Sequence, residues 1–156
     1  MFNHVNIDLP SLNKETIDGV RYYDVPGNAK LVSITSITSW INREIFREWR
    51  ARVGNEQADK VTKAATSRGT DMHTLTEYYL KNEDLPEVQP LSEFLFKQSK
   101  PKLDLIDNIH ALEKSMYSLQ LGIAGTVDCI AEYNGELAII DFKSSKKPKP
   151  RKSVSY

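Results

Sequence analysis

The sequence predicts an α+β domain in which N-terminal helices pack on a mixed sheet of about three strands, with a core left incomplete at the C-terminal end. Three observations predict this. Apolar residues recur at helical spacing from Ile37 to Val53, the pattern turns from helical to extended near Leu105, and Asn134-Gly135 separates two strand-like runs. That dipeptide between alternating apolar segments is the strongest short-range signal for a hairpin.

Residues 1–30 are polar and punctuated by Pro10, Gly19, Pro26 and Gly27, which predicts an N-terminal arm with Val20 to Val25 as a short strand or extended piece. Leu31 to Thr38 is rich in Ser and Thr and offers N-caps for a helix running to about Val53, with Ile37, Trp40, Ile41, Ile45, Trp49 and Val53 on one stripe. Gly54-Asn55 stops that helix. A second helical segment spans roughly Gln57 to Ser67, Arg68-Gly69 makes a joint, and a third helix runs from Thr70 to Lys81. A fourth is expected from Leu91 to Ser99, closed by Pro101. Strands follow at Ile123 to Tyr133 and Glu136 to Phe142, with one more before Gly122.

The 156 residues fit one soluble domain, and acidic and basic residues balance at 21 each. Net charge therefore gives no argument for a polyanionic partner. The distribution does: no acid follows Asp141, while Lys143, Lys146, Lys147, Lys149, Arg151 and Lys152 crowd the end. A lone Cys129 with three histidines spells neither a disulfide framework nor a zinc site. With no basic n-region, apolar leader or membrane-length apolar run, a cytoplasmic location is expected.

The chemistry concentrates in Gly122-Ile123-Ala124-Gly125-Thr126-Val127-Asp128 and Ile139-Ile140-Asp141-Phe142-Lys143-Ser144-Ser145-Lys146. Strand alternation puts Asp141 and Lys143 on one face and Ile140 and Phe142 on the other. If Asn134-Gly135 is a two-residue loop, Tyr133 pairs with Glu136, and stepping outward brings Asp128 opposite Asp141. Two ionised carboxylates so placed repel, and a divalent cation reverses the sign. Mg²⁺ or Mn²⁺ takes oxygen ligands and leaves room for water and phosphate, with Lys143 beside it to neutralise developing charge. The bland alternative is a pair of solvated acids near strand ends. Against it, Asp141 sits within Ile139-Ile140-Asp141-Phe142, where an unpaired buried charge is costly.

These two motifs resemble the PD-(D/E)XK nuclease superfamily, in particular its RecB-like branch, which contains the mitochondrial genome maintenance exonucleases and phage exonucleases. Ser144 stands where that branch usually has threonine. The branch also carries a metal-binding histidine in an Arg-Gly-x-x-x-His context, matched by Arg68-Gly69-Thr70-Asp71-Met72-His73, with Glu77 one turn on. Glu113 fits its additional acidic position. The resemblance implies a restriction-endonuclease-like fold, a partial nuclease domain over 31–146 and a basic tail over 147–156. It implies catalysis by Asp128, Asp141 and Lys143, and a metal site of His73, Glu113, Asp128, Asp141 and the Phe142 carbonyl.

Arg68, Lys146, Lys147, Lys149 and Arg151 would contact DNA, expected to be single-stranded or to have free ends. The expected setting is phage or bacterial replication, recombination or repair. The branch continues into a helix bearing Gln-x-x-x-Tyr and further strands beyond the point where this sequence stops. That leaves room for a truncated chain, or for a homodimer or second chain completing the sheet. Two other functions stay open: a structure-specific endonuclease of the same superfamily, and an inactive nucleic-acid-binding remnant. Trp40, Trp49, Tyr78 and Tyr79 could stack on bases, but their helical spacing predicts core positions.

Overall fold

The computed structural model describes residues 1–144; Lys146, Lys147, Lys149, Arg151 and the rest of the basic tail lie outside the described residues. The N-terminal part is more regular than its polar composition suggests. Three short strands, β1 (Lys14–Ile17), β2 (Val20–Val25) and β3 (Ala29–Ser33), form an antiparallel meander. Asp18 and Gly19 join the first two with φ of 50° and 79°, the left-handed pair that a two-residue hairpin turn requires. Leu31-Val32-Ser33, expected to lead into a helix, is strand, and Ser33 makes no capping hydrogen bond.

Four helices follow among the described residues: α1 (Ile34–Ile41), α2 (Arg43–Val53), α3 (Asn55–Leu80) and α4 (Pro90–Leu103). The single helix expected through Val53 is two. At the break, Thr38 O accepts from both the backbone N–H of Asn42 and its Nδ2, a side-chain bond of the kind that competes with helix continuation. Conversely, the joint expected at Arg68-Gly69 does not interrupt α3. A mid-helix glycine costs only about 1 kcal/mol, and burial of Leu75, Thr76 and Leu80 outweighs it at about 2 kcal/mol for each leucine. Pro101 lies inside α4, in its last turn. Of the aromatics expected in the core, Tyr79 packs there, whereas Trp40 is 68% exposed and α1 and α2 bury no residue fully. Among the described residues no helix is long and apolar enough to cross a membrane.

Among the described residues the sheet is mixed and has six strands rather than about three, because the N-terminal meander joins it. Its remaining members are β4 (Ile106–Ser118), β5 (Ile123–Tyr133) and β6 (Glu136–Ile140). β5 is the axis. Along one edge it pairs antiparallel with β4 over its length. Its other edge is shared: β3 runs parallel to it through Val32↔Ile123 and Ser33↔Ala124, and β6 antiparallel through Cys129↔Ile140 to Tyr133↔Glu136. Between these two partners, Gly125 to Asp128 has no strand beside it on that edge among the described residues. The Asn134-Gly135 turn has both φ positive, at 53° and 84°, and gives the register expected from the sequence.

The main core lies between α3, α4 and the sheet, where Leu75, Leu80, Phe96, Ile109 and Cys129 are almost wholly buried. A smaller cluster of Leu12, Tyr23, Val25 and Ala124 sits under the meander. At Gly125 α1 packs tightly on β5: a Cβ there would lie 3.0 Å from Ile34 Cγ2.

Candidate metal centre

Three elements converge on one point. His73 comes from α3, Glu113 from β4 and Asp128 from β5, and one ligand atom of each lies within 4.8 Å of the others. His73 Nδ1 is 3.6 Å from Glu113 Oε1 and 3.9 Å from Asp128 Oδ2. Nε2, on the far side of the ring, is 2.6 Å from the Phe142 carbonyl. A carbonyl only accepts, so Nε2 carries a hydrogen, and Nδ1 faces the two carboxylates. One imidazole nitrogen and two carboxylates, the imidazole oriented from behind by a backbone carbonyl, make a donor set that suits a divalent metal.

The acids themselves are strained together. In the β4–β5 ladder the pairs Leu112↔Cys129 and Lys114↔Val127 form, and the step between them, Glu113 against Asp128, is skipped. Glu113 has φ 50°, a left-handed conformation costing a non-glycine residue about 1–3 kcal/mol. Burial, and then the neighbouring Asp128, push the Glu113 carboxyl above its ordinary range, with His73 pulling the other way. The repelling carboxylates expected at Asp128 and Asp141 are therefore found at Asp128 and Glu113.

The β5–β6 ladder runs in the expected register to Cys129↔Ile140 and stops one step short of Asp128 and Asp141. Instead, the Phe142 N–H donates to Asp128 Oδ2 at 2.7 Å. Beyond β6 the chain crosses toward α3, reaching His73 with the Phe142 carbonyl and lying by Gly69, whose Cβ position is 3.9 Å from Ser144 Oγ. The Phe142 ring packs on the core and edge-on to His73. Asp141 and Lys143 take the other side, hydrogen-bonded to each other at 2.6 Å and 59% and 70% exposed.

Of the expected ligands, His73, Glu113 and Asp128 are brought together, and the Phe142 carbonyl is placed on the His73 ring. Asp141 is outside the group, sharing with Asp128 a shallow groove of about 280 Å³ at the open edge of β5. Arg68 is half-buried, and its Nε has no hydrogen-bond partner among the described residues.

Sequence reasoning missed Lys14. It lines a second groove of about 500 Å³ with Gly69, Thr70, His73, Thr74, Glu77 and Glu113, and its ammonium donates to Thr126 Oγ1 at 2.9 Å. The Asp18-Gly19 turn carried the same hairpin signal as Asn134-Gly135 and would have put β1 in the sheet, but not against α3.

No protein-family model matches the chain. It is 30% identical over 134 residues to mitochondrial genome maintenance exonuclease 1 of Xenopus tropicalis, a match covering 79% of this chain and 38% of that protein. The mouse and human proteins of the same name are 47% and 44% identical over 45 residues, 29% of this chain and 13% of theirs. The chain thus spans well under half the length of the relatives it matches. At that level, and over that part of their length, the chain is similar to mitochondrial genome maintenance exonucleases.

Proposed function

We propose that this chain is a metal-dependent deoxyribonuclease of the PD-(D/E)XK type with a restriction-endonuclease-like fold, acting as an exonuclease on single-stranded DNA or free DNA ends. The observation that carries the reading is the convergence of His73, Glu113 and Asp128 from three separate elements. Similarity to exonucleases supports the choice of DNA phosphodiesters as substrate.

In this reading His73, Glu113 and Asp128 hold Mg²⁺ or Mn²⁺. When bound, the cation supplies Lewis acidity, making a water a better nucleophile and screening the charge of the scissile phosphate. The Phe142 backbone fixes both His73 and Asp128, so that the donors are oriented before a cation arrives. Asp141 adds a carboxylate across the shallow groove from Asp128, and Lys143 accompanies it as a cation for the phosphate oxygens. A DNA-bound chain of this kind would work in the cytoplasm of a bacterial or phage-infected cell, alone or with a second chain covering the β6 edge.

The outward pairing of Asp141 with Lys143 favours one other reading, a nucleic-acid-binding module that does not cut. End-labelled single strands, end-labelled duplexes and covalently closed circles, incubated with Mg²⁺, Mn²⁺ or chelator, separate the possibilities. Metal-dependent shortening of the end-labelled strands with circles left intact is the expected result. Cutting of the circles would make the enzyme an endonuclease. Binding without any cleavage in either metal would leave only the binding module.

A further inference from the structure

The groove that opens onto His73 and Glu113 holds a cation as well as acids. Lys14 reaches it from β1, and its position is defined: its ammonium donates to Thr126 Oγ1 at 2.9 Å and lies 5.5 Å from the centroid of the Tyr23 ring. The Tyr23 hydroxyl is itself 3.1 Å from Thr126 Oγ1, and Tyr23 is buried. Thr126 stands two residues before Asp128 on β5, so the strand that supplies a carboxylate also holds the lysine.

The lysine's charge is not consumed by the acids around it. Among the described residues Lys14 forms no ion pair with Glu77 or Glu113. Glu77 is taken by Lys81 at 2.6 Å, and Glu113 faces His73 Nδ1 at 3.6 Å. Lys143, the lysine of the Asp-x-Lys motif, is by contrast bound to Asp141 on the exposed side. An ammonium has three hydrogens; Thr126 uses one, and the others are available to an anion in the groove.

We propose that Lys14 is a phosphate-binding residue, placed by Thr126 and Tyr23 to hold a DNA backbone phosphate beside the His73, Glu113 and Asp128 centre. This rests on the nuclease reading for its substrate, but its test reads binding rather than cleavage. The anisotropy of a labelled oligothymidylate in Ca²⁺ is followed over a range of KCl concentrations for the parent, Lys14→Met and Lys14→Arg. Methionine keeps an unbranched apolar stem and removes the charge.

Lys14→Met should weaken binding about tenfold at low salt and reduce the slope of log K against log salt by about 0.7, the loss of one phosphate contact on a single strand. Lys14→Arg should restore both. Melting temperature and Mn²⁺ affinity by calorimetry should hold in Lys14→Met, showing fold and metal centre intact. Parental affinity and slope in Lys14→Met overturn the proposal, as does an equal loss in the arginine variant. A parent that binds the strand but neither binds Mn²⁺ nor cuts DNA removes the nuclease reading alone, and the comparison of slopes still decides Lys14. A parent that binds no strand removes both.

Discussion

The backbone of Phe142 holds His73 from behind: its carbonyl accepts from Nε2 at 2.6 Å, leaving Nδ1 to face the carboxylates. The same residue's N–H is bonded to Asp128. One residue of main chain thus sets the orientation of two candidate ligands on different elements, and the first prediction concerns the cation they would share.

Mn²⁺ should stabilise the parent. A ligand at a hundredfold excess over its Kd adds about 2.7 kcal/mol, roughly 5–10 °C in melting temperature for a chain of this size. His73→Ala and Asp128→Asn should abolish the shift while remaining folded in chelator. Differential scanning calorimetry with and without metal measures it; an undiminished shift in both variants would place the cation elsewhere.

Glu113→Gln should have opposite effects in the two conditions. With its carboxyl raised in the folded state, chiefly by burial and then by Asp128, the folded protein binds more protons than the unfolded one, so stability falls as pH rises through the folded value. The glutamine variant lacks that slope. In chelator at neutral pH it should melt about 2 °C higher than the parent, while its Mn²⁺ affinity drops at least tenfold. Melting curves taken from pH 5 to 8 in chelator check the sign.

Substitutions at Asp141 and Lys143 should separate chemistry from stability. Both side chains are exposed, so Asp141→Asn and Lys143→Met should change stability by no more than about 0.5 kcal/mol. Initial rates on an end-labelled strand should nevertheless fall by at least a hundredfold if the motif acts in cleavage. Rates equal to the parent's would confine the chemistry to the His73 cluster.

Gly125→Val should destabilise by about 1–3 kcal/mol through overpacking, because the first added carbon already lies 3.0 Å from Ile34 Cγ2. Ile34→Ala should recover part of that loss in the double variant. Urea titrations of the four proteins give the coupling, and simple additivity would show that the two positions do not touch.

Much of the C-terminal half was legible because its determinants are local. Asn134 and Gly135 both need positive φ, and their dipeptide says so; once the turn is fixed, period-two alternation carries the register up to Ile140. His73, Glu113 and Asp128 could be named from their motifs, but not their meeting, which depends on α3 running unbroken past Gly69. That continuity comes from Leu75 and Leu80 in the core, a tertiary effect that overrides the local glycine signal. The departure of Asp141 from the ladder was illegible for a similar reason. Phe142 leaves the strand to bond His73, a residue 69 positions away. The meander was overlooked although Asp18-Gly19 announces it, because the polar composition around the turn suggested an arm.

The grip of Phe142 is made by main-chain atoms, so any replacement other than proline, which lacks the N–H, keeps the bonding groups, whereas failure of β6 to dock removes the contacts. In a chain synthesised from its N-terminus, β6 is the last described strand to emerge, after His73, Glu113 and Asp128 are already present. His73 and Asp128 lack their common tether until it arrives. Completion of the last strand and acquisition of an organised centre are then a single event, so a half-made chain carries the acids and the histidine without the means to aim them.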